Sequence, residues 1–241
     1  MSDAYRIKLP TGMTLEFQTA EDVFRPTHTS ELCIRAAHDF GKKLGKTLDL
    51  GCGCGVVGIA AAKMGLTEGQ VHASDISSQA VDLARRNAKD HQVAMEVRSG
   101  SVFDPWKRET FESILDDISG ITEDVARLSP WFSHHIPCES GAEGMDLTAR
   151  VLEEAPAYLK KGGNLFFPIL SLSNVPKILK KARACFRIVE QVGAQDWTLP
   201  AEMTPHLDKL REIRSKGRIY FEEKFGLVIC STQVYWCKEP I

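Results

Sequence analysis

The stretch Thr47-Leu-Asp-Leu-Gly-Cys-Gly-Cys-Gly-Val-Val-Gly58 decides how the chain is read. An apolar run of strand character over 47–50 meets three glycines at alternate positions, Gly51, Gly53 and Gly55, and then a small apolar segment that predicts a helix over 56–63. Alternate glycines let the backbone turn tightly and leave room for a ligand against the main chain. The helix that follows turns its amide-rich, partly positive end toward the same place. Asp49 stands two residues ahead of the first glycine. In a dinucleotide fingerprint the third glycine would fall at position 56, which is Val56. The loop therefore reads as an α/β nucleotide site of a different kind.

The chain has 241 residues, 43% of them hydrophobic, enough for one large α/β domain. With no repeat, linker or low-complexity tract, a single domain over 1–241 is expected. Thirty Lys and Arg against 32 Asp and Glu leave a formal charge of -2. That provides no broad basic field, and no nucleic-acid partner is expected. No apolar run reaches membrane-spanning length, and the first residues lack a secretion-signal layout. Seven scattered cysteines suggest reduced thiols and a cytoplasmic location rather than a disulfide framework. Cys52 and Cys54 sit inside the glycine loop, where small residues are needed, so no metal is expected. Oligomeric state is not written in the sequence.

Around the loop, residues 1–20 alternate in hairpin fashion: Tyr5, Ile7 and Leu9, then Thr11-Gly12, then Met13, Leu15 and Phe17. Pro26 and the run Thr27-His-Thr-Ser30 mark a loop ending in a helix N-cap, with the helix starting at Glu31. Further strands are predicted over 71–75, 93–97, within 111–121, and over 164–170 and 186–192. The segments 217–221 and 227–236 read as a final antiparallel pair. Helices are predicted over 77–88, 144–159, 175–183 and 206–215. Gly162-Gly163 reads as a helix breaker, and 122–142 as a long irregular connection.

The spacing of the loop resembles motif I of the class I S-adenosylmethionine (SAM)-dependent methyltransferases. The order that follows is Asp75, Ser101-Val-Phe-Asp-Pro105, the segment 111–121 and Gly141-Ala-Glu-Gly-Met-Asp146. It is similar to the branch that methylates the glutamine amide of translation release factors, from about residue 23 to the end. The resemblance implies an α/β Rossmann-like fold with a mostly parallel seven-stranded sheet, an antiparallel last strand and helices on both faces. Residues 1–45 would form an N-terminal hairpin and helix cap over the cofactor. It also implies SAM as cofactor, held by Asp49, Gly51, Gly53 and Gly55, with Phe24, Pro26, Thr29 and Ser30 closing over its methionine end; a plain capped helix is the alternative for that segment. Asp75 would accept from the ribose hydroxyls, or simply cap the helix after it. Ile76, Val102 and Phe103 would lie against adenine. Ser101 stands where the family carries an Asp that accepts from the exocyclic amine. A hydroxyl accepts more weakly than a carboxylate.

The end of the fourth strand departs further. Amino-group methyltransferases carry Asn or Asp, then Pro-Pro, then an aromatic. Here these positions are Asp117, Ile118, Ser119 and Gly120. The acceptor survives, while the rigid turn and stacking face do not, so a planar amide or base is a poorer expectation. Asp117 and Ser119 are the candidate catalytic positions on this segment. Asp116 would face away if it lies on the strand. His134 or His135, in the loop after it, is a candidate general base. The leading expectation is methyl transfer to a small-molecule amine, hydroxyl or carboxylate. Methylation of a protein side chain is the alternative. Attack at the aminobutyrate chain of SAM, or a non-catalytic SAM-binding role, are further ones.

Overall fold

In the computed structural model of the protein, the residues described are 4–118, 120–130 and 139–241. The chain opens on a hairpin of β1 (Tyr5–Lys8) and β2 (Thr14–Phe17). Ile7 pairs with Leu15 across it, and both face inward. Helix α1 (His28–Gly41) begins three residues ahead of the expected start. Thr27 is its N-cap, accepting from the Thr29 amide at 3.2 Å, so Thr29 and Ser30 lie in the first turn. Then follow β3 (Thr47–Leu50), α2 (Val56–Lys63), β4 (Val71–Asp75), α3 (Ser78–Asp90), β5 (Met95–Ser99) and β6 (Phe111–Asp116). The second half holds α4 (Glu123–Ala126), α5 (Asp146–Tyr158), β7 (Leu159–Leu170), α6 (Val175–Cys185), β8 (Phe186–Thr198), α7 (Leu207–Ser215), β9 (Glu222–Lys224) and β10 (Leu227–Pro240).

The main sheet runs β5-β4-β3-β6-β7-β10-β8, with β9 paired to the start of β10. The strands from β5 to β7 are parallel, and β10 is antiparallel to both of its neighbours. This is the expected Rossmann-like arrangement with one added short strand. Side chains alternate across the sheet as the pleat requires. Leu115, Phe166 and Val234 face the layer of α1, α2 and the hairpin. Ile114, Leu165, Phe167 and Tyr235 face α5 and α6. A third cluster joins Ile121 and Val125 to Leu210, Ile213 and Phe221 at the far end of the sheet.

Four expectations need correction. Gly162-Gly163 does not end a helix; it lies inside β7, beside the irregular register between Phe111 and Ser113 of β6. β8 continues to Thr198 because β10 pairs with it along nearly its whole length. Residues 217–221 are not a strand: Ile219 and Phe221 point into the third cluster, and the hairpin partner is 222–224. The connection 122–142 is not irregular throughout, since α4 seats Val125 in that cluster.

The arrangement fixes where a ligand can sit. From β3 the sheet extends through β4 and β5 on one side and through β6 and β7 on the other. A crevice opens beyond the carboxyl ends of strands where the order reverses in this way. The glycine loop follows β3 and Asp117 follows β6, so both stand at that crevice. No helix among the described residues is long and apolar enough to cross a membrane.

Candidate functional site

The glycine loop is held from beneath. The Gly51 and Cys52 amides donate to the Ser74 carbonyl of β4 at 2.9 and 3.1 Å. Gly51 has φ +67°, and a Cβ there would come within 2.7 Å of the Ile118 side chain. Any side chain there would both strain the backbone and force Ile118, just past the end of β6, to shift. Asp49 is completely buried under the loop, where one carboxylate oxygen accepts from the Gly58 amide at 2.8 Å. It ties the strand to the start of α2, and its burial drives its pKa well above the usual carboxylate range. Its second oxygen has no hydrogen-bond partner among the described residues. Gly55 is the N-cap of α2. Neither Asp49 nor Gly55 lines the cavity, so their part is to shape the loop.

Above the loop lies a cavity of about 450 Å³, within the range of small-ligand sites. Gly51 and Gly53 form part of its floor, and a Cβ on Gly53 would stand 3.7 Å from the Phe24 carbonyl that crosses over it. Asp75 lies on the same wall. One of its oxygens accepts from the Gly53 amide and the other from the Ser77 amide, both at 2.9 Å. It therefore braces the loop and the start of α3. A carboxylate has about four lone-pair sites, so acceptor capacity remains for a ligand. Burial raises its pKa.

One end of the cavity is apolar. Ile76 is 63% exposed there, and Val102 faces the same space. Val102 has φ +49°, a strained conformation for a β-branched residue. Ser101 also lines this end. Phe103 does not: it is fully buried and stacked on Tyr158, with ring centroids 4.4 Å apart. Val102 is itself largely buried but borders the cavity, whereas Phe103 turns wholly into the core, so of the three residues expected against the base, Ile76 and Val102 stand at the cavity and Phe103 does not.

The other end is polar. Phe24 and Pro26, from the strap between the hairpin and α1, close it from above. Ser30 reaches in from the first turn of α1 and donates to Asp117 at 2.6 Å. Thr29, one residue earlier, is buried off the cavity. Burial pushes the Asp117 carboxyl up to about 7 against the Ser30 hydrogen bond. Asp116 turns away, as expected, and accepts from the Ile118 amide at 3.0 Å. Its full burial, with Asp117 beside it, raises it to about 8. Ser119, His134 and His135 lie outside the described residues.

Sequence reasoning missed Asp22, Glu139 and Asp146, which also line the cavity. A usable signal was present for Asp146. Ser140 accepts from the Leu147 amide at 2.8 Å and turns the Gly141–Gly144 segment into the start of α5, so Gly-x-x-Gly-x-Asp marked a helix entry at a site. Arg150 was missed as well; it donates to the Ser101 hydroxyl at 3.0 Å.

Taken together, the chemistry of the lining fits SAM: an apolar end, a carboxylate with spare acceptor capacity, glycine main chain, and Asp117 at the polar end. Residues 17–117 match the family described as the methyltransferase small domain. The chain is 31% identical over 153 residues to the release factor glutamine methyltransferase of Geobacter sulfurreducens, covering 62% of this chain and 54% of that protein. It is 26% identical over 195 residues to the protein of the same name from Gloeobacter violaceus, covering 76% and 66%. It spans about half the length of most curated relatives it matches. The 16S rRNA N2 G1207 methyltransferase of T. Thermophilus, solved with AdoMet and guanosine, superposes with a TM-score of 0.62. That likeness covers 98% of this chain and 50% of the other at 15% identity, and it is one of fold.

Proposed function

We propose that this chain, a class I SAM-dependent methyltransferase by its fold and by the family that residues 17–117 match, methylates an amine or hydroxyl of a small molecule at Asp117. The observation that carries the reading is one cavity bringing the glycine loop, Asp75 and Asp117 together at the point where strand order reverses. When bound, SAM supplies a methyl group on a sulfonium, electrophilic without help from a metal. The work left to the chain is to bind, orient and exclude water. Ile76 and Val102 would enclose the base, with Ser101 at its edge. Asp75 would accept from the ribose, and Gly51, Gly53, Phe24, Pro26 and Ser30 would enclose the amino-acid end. Asp117 would orient the nucleophile and take its proton, with Ser30 holding the carboxylate in place.

A second reading has support in the named relatives, which are glutamine methyltransferases of a protein substrate. Ile118 and Gly120 speak against it, because neither supplies the stacking surface that a planar amide would use. The test is to incubate the protein with methyl-labelled SAM and a cell extract separated into metabolite and protein fractions. S-adenosylhomocysteine and methylthioadenosine are quantified alongside the label. Label in the metabolite fraction with stoichiometric S-adenosylhomocysteine is the expected result. Label in protein would favour the second reading, and enzyme-dependent methylthioadenosine would replace methyl transfer with attack at the aminobutyrate carbon.

A further inference from the structure

Ser101 stands at the base end of the cavity, and its hydroxyl is already engaged. Arg150, on α5, donates to it at 3.0 Å from one guanidinium nitrogen. The same guanidinium is fixed by Asp104 at 2.9 Å and Glu154 at 2.7 Å. A hydroxyl has one proton and two lone pairs. Arg150 occupies one lone pair, and its charge makes the oxygen a poorer acceptor and the remaining O–H a stronger donor. Asp104, three residues on, is turned to Arg150 and does not line the cavity.

We propose that the Ser101–Arg150 pair makes the base end of the cavity hydrogen-bond-donating, so that the chain recognises the purine of its cofactor by an acceptor atom and does not require a 6-amino group. The inference rests on the SAM reading above. Adenine presents a donor at position 6, and a 6-oxo purine presents an acceptor there. A carboxylate at position 101 would hold the amine and repel the oxo group; a donating hydroxyl finds an acceptor on either base, N1 of adenine or the oxo oxygen of the 6-oxo purine, whose own N1 carries a proton. Ser101 is in this sense a specificity-determining residue, and Arg150 positions and polarises it.

The experiment measures the dissociation constants of S-adenosylhomocysteine and S-inosylhomocysteine by calorimetry on the full chain and on Arg150→Met and Ser101→Asp. The parent chain is expected to bind the two within a few-fold of each other. In Ser101→Asp the inosyl compound should fall behind by about tenfold or more, the discrimination typical of one base-edge contact. In Arg150→Met the freed hydroxyl should shift preference toward the adenosyl compound. Strong discrimination against the inosyl compound by the parent would overturn the proposal while leaving SAM binding intact. Equal binding that persists unchanged in Arg150→Met would overturn the role given to Arg150. Binding of neither compound would instead overturn the SAM reading on which the proposal stands.

Discussion

In the proposed reaction, the protonation state of Asp117 sets the chemistry. Its carboxyl is pushed up to about 7, and only the ionised form accepts a proton from an incoming nucleophile. The rate at limiting acceptor should therefore rise with pH and level off above about 7, as a stopped assay of S-adenosylhomocysteine formation would record. Asp117→Asn keeps an acceptor for the Ser30 hydroxyl, so the fold is retained, but it removes the base. A loss of about 10²–10⁴ in kcat is expected, with a flat pH profile; parental rates in this variant would remove Asp117 from the reaction. Asp75 carries a different load. Asp75→Ala deletes the brace on the Gly53 and Ser77 amides together with the acceptor proposed for the ribose, and should weaken S-adenosylhomocysteine binding by about 1–3 kcal/mol. An unchanged dissociation constant would withdraw Asp75 from cofactor binding. These two acids could be placed at strand ends from sequence because their meaning is local: each ends an apolar run. Ser30 and Arg150 could not be read this way. Their partners, Asp117 and Ser101, lie 87 and 49 residues away, and no local pattern encodes such pairings.

Between elements, the same divide separates what was legible from what was not. The hairpin, the glycine loop and the entry to α1, the last to within three residues, are stated by alternation, φ-permissive glycines and capping residues close by in sequence. The reach of β8, the placement of α4 and the true partner of β10 are decided by pairing and by the third apolar cluster, so propensity alone misplaced them. Asn87 shows how such distant packing bears on the site. It is buried on α3, accepts from the Gln18 amide at 2.9 Å, and donates to the Gln18 carbonyl at 3.1 Å and the Cys54 carbonyl at 2.9 Å. One side-chain amide thus ties the exit of the hairpin to the glycine loop, and the strap carrying Phe24 and Pro26 hangs from that tie. Asn87→Ala leaves a backbone donor and two carbonyls without this partner. It should cost about 1–3 kcal/mol of stability and expose the strap to proteolysis, with S-adenosylhomocysteine restoring protection. Cleavage as slow as in the parent would show that the strap is held by other contacts.

At the level of the whole molecule, burial around the crevice raises the pKa of four carboxyls. Asp49, Asp75, Asp116 and Asp117 all have pKa values raised chiefly by burial, Asp116 to about 8. A carboxyl raised above its unfolded value of about 3.9 stabilises the fold fully below that pH and loses the contribution as pH rises through its folded value, at up to about 1.4 kcal/mol per unit. His28 and His72 are lowered by burial, so they work the other way: the unfolded chain binds their protons below about 6.5, and stability rises with pH up to there. The melting temperature should accordingly decline between pH 7 and pH 8, above the unfolded histidines' value and below the range where the buried thiols of Cys33, Cys52 and Cys54, also raised by burial, begin to count, and Asp116→Asn, which still accepts from the Ile118 amide, should flatten that decline. Cofactor charge enters the same balance. The sulfonium of SAM brings a positive charge into the cavity, which favours the ionised forms of Asp75 and Asp117, whereas S-adenosylhomocysteine carries a neutral sulfide. Near pH 6.5, calorimetry in buffers of different ionisation enthalpy should show more protons released on binding SAM than on binding S-adenosylhomocysteine, and Asp117→Asn should remove most of the difference. Equal release by both ligands would place the sulfonium away from Asp117, and the methyl group with it, so this titration locates the reacting end of the cavity before any acceptor is known.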